Sequence, residues 1–221
     1  MSTTPTLSAR FVVLEQELER LRQHLLPSQE ELDPTGSYDD VVYTKTLAYR
    51  VLAHAEFESY VEDRVRDLYL AAISAWVENN VMTKIVACML AFSSTEIDDV
   101  PTTKVPVQAN QKQKWNRKIK LVGRISKCAN SYRHIIETNH GIKEENLLKL
   151  LLPIGIEADE IDDIWLAAMN SFGEERGSVA HSSGSNYRTK TLPDPKTEMD
   201  KINNVLEGLK VIDTLLDQLI P

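Results

Sequence analysis

The chain has 221 residues, of which 42% are hydrophobic, enough for one large domain to bury a real core. Cys88 and Cys128 lack any ligand spacing, no apolar run approaches the roughly 18 residues a membrane span needs, and the N-terminus lacks a basic start and apolar core. Disulfide scaffolds, zinc sites, membrane spans and leader-driven secretion are thus disfavoured, a cytoplasmic protein is expected, and the net charge of −8 confines any nucleic-acid contact to a local patch.

In chain order, Ser8 opens a predicted helix over 8–26, with Phe11, Leu14, Leu18, Leu21 and Leu25 at three- and four-residue steps. Residues 27–40 hold Pro, Gly, Asp and Ser and read as a loop. The expected division is therefore an N-terminal helix and loop over 1–40 and a helical domain over 41–221, the first helix being free to swing or to pack on a second copy. A long helix is predicted over 41–79, with Leu47, Val51, Val61, Val65, Leu68, Ala72 and Ala75 on one face. His54 and Glu58 fall on that same apolar stripe. At i and i+4 they either hydrogen-bond each other inside the bundle or face a neighbouring helix as a polar pair.

Residues 81–92 are strongly apolar and predict a buried helix, and 93–113, with Pro101 and Pro106, read as the longest irregular stretch. A basic helix follows over 114–137. From 101 to 136 there are nine basic residues and no acidic one, leaving 16 basic against 33 acidic elsewhere. Such segregation is either an electrostatic footprint for phosphates or a solvated face docked on acidic parts of the protein. Read as RNA-binding candidates, the positions are Lys112, Lys114, Arg117, Lys118 and Arg124, with Arg188 from a later loop. Trp115 and Tyr132 either stack on bases or anchor the core. Asn139-His140-Gly141 has the look of a helix C-terminus, where a histidine meets free carbonyls.

A helix over 143–152 ends at Pro153 and Gly155. The next begins near Ala158, where Asp159, Glu160, Asp162 and Asp163 suit the positive end of a helix dipole better than a metal. Ile161, Ile164, Trp165, Ala168 and Phe172 carry it to Glu175-Arg176-Gly177-Ser178-Val179-Ala180-His181, and a last helix spans 196–219. Arg176 and His181 pair a permanent cation with the one side chain that titrates near neutrality. RNA scission by its own 2′-hydroxyl needs a proton taken, a proton given and phosphoryl charge stabilised, all within reach of His and Arg without metal or other cofactor. Five residues place the two roughly 140° apart around a helix and about 7.5 Å along it. Both reach one phosphate if the helix bends at Gly177 or if a second copy adds its pair across a two-fold axis.

The block from Glu175 to Ser182, the apolar segment 161–169 before it and the upstream His54-Ala55-Glu56-Phe57-Glu58 together resemble the HEPN family, specifically its RiboL-PSP type, over roughly 47–219. The resemblance implies an all-α bundle of about six to seven helices and a homodimer whose Arg176 and His181 form a composite site. It further implies metal-independent endoribonuclease activity in a toxin or phage-defence setting, with an antitoxin or other regulatory partner. His54 and Glu58 would be supporting polar residues. Two departures stand out: Gly177 replaces the polar residue that many relatives carry after the arginine, and Ser183 replaces the tyrosine that a subset has modified. The alternative is a non-catalytic module of the same fold that binds nucleotides, RNA or protein.

Overall fold

A computed structural model describes residues 7–28, 31–33, 35–93, 121–181 and 192–219, except for the side chains of 178–181. Among the described residues there are seven α-helices and no strand, as the all-α expectation requires. They are α1 (Ala9–Leu25), α2 (Asp40–Asn79), α3 (Lys84–Ser93), α4 (Leu121–Glu137), α5 (Glu144–Leu151), α6 (Asp163–His181) and α7 (Pro195–Asp217). Short 3₁₀ turns at Leu152–Ile154 and Ala158–Glu160 link α5 to α6.

The axis is α2, whose 40 residues make a rod of roughly 60 Å. Asp39 starts it by accepting the Val42 N–H at 2.8 Å, and Asn80 closes it in the left-handed region at φ 55°. Against it pack α1, α3, α4, α6 and α7. The core they share includes Phe57, Val65, Ile85, Leu147, Met169, Leu209 and Leu216, each 3% exposed or less. Rather than swinging free, α1 buries Phe11 completely and is tied to α7, since the backbone N–H and hydroxyl of Ser8 donate to Asp213 at 2.8 and 2.7 Å. Asp213 also accepts from Tyr60 at 2.5 Å and Arg64 at 3.1 Å, so one fully buried carboxylate joins three helices.

Local chemistry corrects two expectations and decides a third. Near Ala158 lies not the start of α6 but a 3₁₀ turn closed by a reciprocal Glu157–Glu160 capping box, and the helix starts at Asp163 with Asp162 accepting from Trp165 N–H at 2.7 Å. Helix α3 is buried on one face only, with Ile85, Val86 and Met89 inside while Phe92 is 60% exposed. Tyr132 is a core anchor, not a stacking platform: it is buried, edge-on to Tyr69, and donates its hydroxyl to the Leu150 carbonyl at 2.5 Å. Close packing of α6 on α7 depends on Gly208, where a Cβ would lie 2.0 Å from Trp165 Cδ1, while the indole N–H donates to the Val205 carbonyl at 3.0 Å.

Candidate functional site

Consecutive residues of α6 serve opposite purposes. Glu175 turns toward α2 and α7, where Lys201 Nζ meets both its oxygens at 2.7 and 2.8 Å and Arg50 Nη2 lies 3.3 Å away. Arg50 itself is almost wholly buried and grips Glu198 through two bonds of 2.7 and 2.5 Å. Fork-on-carboxylate geometry of this kind is both strong and directional. Through Glu175, held by Lys201 and Arg50, α6 turns that face toward α2 and α7, so that the next side chain points elsewhere.

That next side chain is Arg176. It is half-buried and, among the described residues, has no hydrogen bond or ion pair. It lines an open cavity of about 610 Å³ together with His54, His140, Lys143, Glu174 and Gly177. The wall opposite α6 comes from the α4–α5 connection. Gly141 sits there at φ 145°, which a side chain would strain, and Asn139 holds the turn by donating to Glu62 at 2.8 Å and to the Gly141 carbonyl at 2.9 Å. Asn146 completes it by donating to Asn139 at 3.0 Å. Lys143 reaches Glu174 across the cavity at 3.7 Å.

His54 and Glu58 do not hydrogen-bond each other, and His54 turns its ring toward the motif helix. The His54 Nδ1–Glu58 distance is 3.6 Å, beyond hydrogen-bonding reach, and His54 Nδ1 is buried without any hydrogen-bond partner. The ring stacks on Phe172 of α6 at 5.7 Å. Burial pushes the His54 pKa down to about 4, helped by the positive charge of Arg176, so the ring is neutral at pH 7. Burial raises the Glu58 carboxyl, as does the charge of Glu62, against the opposing influence of Arg176, His140 and the Gly141 backbone.

The predicted residues are thus distributed unequally. Arg176, His54 and Glu58 come together, and α6 runs through Gly177 to His181 as unbroken helix, the side chain of His181 lying outside the described part. Lys112, Lys114, Arg117, Lys118 and Arg188 also lie outside the described residues. Arg124 stands on the first turn of α4, at the far end of that helix from the cavity by about 20 Å. The acidic run before α6 is taken up by capping, and no group of three or more potential metal ligands occurs among the described residues.

Sequence reasoning missed His140, Lys143 and the Arg50–Glu198 clamp. His140 does not cap carbonyls. Helix α4 stops at Glu137, backbone N–H groups of Thr138 and Asn139 close its end, and His140 is exposed at the cavity rim. The glycine after it was a turn signal, but no local pattern says over which helix the turn folds. Compared with protein families, residues 14–220 match the one described as RiboL-PSP-HEPN. No curated protein and no solved structure matches the chain.

Proposed function

Because the chain belongs to the RiboL-PSP-HEPN family, we propose that it is a metal-independent endoribonuclease, working as a homodimer in a toxin or phage-defence role. The observation that carries the reading is the Arg176 guanidinium, aimed into an open cavity with no described protein partner and backed by a neutral, hydrogen-bond-deficient His54. A planar cation with no described partner of its own suits the non-bridging oxygens of a phosphodiester. His181, five residues further along the same helix, is the proton acceptor for the attacking 2′-hydroxyl in this scheme. Its counterpart on a second copy would enter across the low surface at Gly177, where a Cβ, were one present, would meet nothing among the described residues within 4 Å.

The test is cleavage of a mixed RNA by purified protein in EDTA, comparing wild type with Arg176→Ala and His181→Ala. Expected are 2′,3′-cyclic phosphate ends from the wild type and a loss of about 100-fold or more in each variant, with unchanged helical circular dichroism. Wild-type rates in either variant would sink the assignment. An inactive wild type that binds RNA in a salt-dependent way would move the chain to the binding-module class. Growth arrest on expression, relieved by His181→Ala, is the corresponding expectation in cells.

A further inference from the structure

For helix stability, lysine is a poor residue at position 143. Lys143 is the N-cap of α5, where Ser, Thr, Asp or Asn would bond the free N–H groups and where the helix dipole disfavours a positive charge. Its side chain makes no cap bond, and α6 supplies one instead. Asn170 accepts the Glu144 N–H at 2.9 Å and donates to the Glu144 carboxylate at 3.0 Å, which ties this turn to α6.

Glycine is an equally poor residue at position 173, inside α6, because it weakens a helix. The two residues explain each other. A Cβ at 173 would lie 2.8 Å from Lys143 Cγ and 3.6 Å from Cε, so its absence leaves a groove that the lysine stem fills. Laid there, Lys143 carries its ammonium to within 3.7 Å of Glu174, in the cavity that Arg176 lines. The two side chains are 46% and 69% exposed, and an ion pair so open to water is weak and readily exchanged for another anion. The helix surface beyond it leads to the motif. Glu174, Gly177 and His181 follow at steps of three and four residues, one stripe of α6 about 10 Å long.

We propose that Lys143 is a phosphate-binding residue for the RNA strand and holds a phosphate that flanks the scissile one, a role that rests on the endoribonuclease reading above. The strand lies along the Gly173–Gly177 side of α6, where the two glycines keep the helix surface low. Lys143 exchanges Glu174 for a phosphodiester oxygen, while Arg176 takes the scissile phosphate. Lys143 binds and aligns the strand, and no proton passes through it.

Binding across a range of salt concentrations tests the role. The probe is a short fluorescein-labelled 2′-O-methyl oligoribonucleotide, which lacks the attacking hydroxyl and so stays intact. Its fluorescence anisotropy is followed with wild type, Lys143→Gln, Gly173→Ala, the double variant and Lys149→Gln, with thermal melts to show that each is folded. Lys149 is the control, an exposed lysine of α5 that does not line the cavity. Lys143→Gln should weaken binding about fivefold at roughly 0.1 M salt and reduce the slope of log affinity against log salt by about 0.7, the share of one single-strand phosphate contact. Gly173→Ala, which displaces the stem without removing a charge, should weaken binding too, and should add nothing to Lys143→Gln. Lys149→Gln should change neither affinity nor slope. Wild-type affinity and slope in Lys143→Gln, or equal losses in Lys143→Gln and Lys149→Gln, overturn the assignment and leave the nuclease reading intact. A wild type that does not bind the oligonucleotide overturns it as well, and if mixed RNA also stays uncut in EDTA, the nuclease reading falls with it.

Discussion

Arg50 on α2 and Arg176 on α6 both turn inward, and their surroundings differ. The Arg50 side chain is 4% exposed and its fork is filled by Glu198, with Glu175 and Lys201 completing a network across α2, α6 and α7. Arg176, half-buried, has no described partner, and the histidine beside it carries a buried nitrogen with no hydrogen bond. Polar groups withdrawn from water are stable when paired and costly when not. The first cluster obeys that rule and specifies the bundle. The second departs from it, at the wall of the open cavity.

Matched substitutions break the comparison most sharply. Arg50→Ala leaves Glu198 buried at 1% exposure without its main partner, and a loss of about 3–5 kcal/mol is expected. Arg176→Ala removes no described bond, so its cost should stay under about 1 kcal/mol. Urea unfolding of the two variants beside wild type gives both numbers. Similar losses in the two would mean that Arg176, too, is structural.

Next in size is a pH effect confined to the under-satisfied cluster. The folded-state pKa of His54 is lowered from 6.5 to about 4. Between those values the unfolded chain binds a proton that the folded chain refuses, so stability is present above the window and lost as pH falls through it. At the bottom of the window the loss from this one group is about 3 kcal/mol. His54→Leu removes both the titration and the orphaned nitrogen. The difference between wild type and variant in unfolding free energy should therefore widen in the variant's favour from pH 7 to pH 4. A constant difference across that range would mean that His54 titrates normally in the folded state.

The two clusters were unequally legible. Caps are local, so Ser8 marks the start of α1 in sequence and in space, and the helix starts predicted at 41 and 196 fall one residue from Asp40 and Pro195, where α2 and α7 begin. The same local logic misplaced the start of α6, because the acidic run read as that start begins in a 3₁₀ turn, closed by Glu157 and Glu160, and the helix itself opens only at Asp163. Arg50 and Glu198 are 148 residues apart, and no periodicity says that they meet. For His54 and Glu58, spacing gave a shared face but not the choice between bonding each other and facing α6. Phe172 and Arg176 make that choice by stacking on the ring and by placing a positive charge beside it. His140 was read as a cap from its neighbours in sequence, while in the fold it lies exposed at the rim of the cavity.

The smallest expected effect separates what the single chain needs from what a second macromolecule needs. Glycine inside a helix costs roughly 1 kcal/mol relative to alanine. At Gly208 the reason is visible, since a Cβ would collide with Trp165 at 2.0 Å; at Gly177 nothing among the described residues lies within 4 Å. Within one chain, then, Gly177→Ala should raise stability by up to about 1 kcal/mol in urea unfolding. If that low surface exists to admit a partner helix or an RNA backbone, the same methyl should weaken dimer association or RNA cleavage despite the more stable fold. A variant that is more stable, equally associated and equally active would remove Gly177 from the site and leave Glu174 and Arg176 as the side chains that the last turns of α6 bring to the cavity.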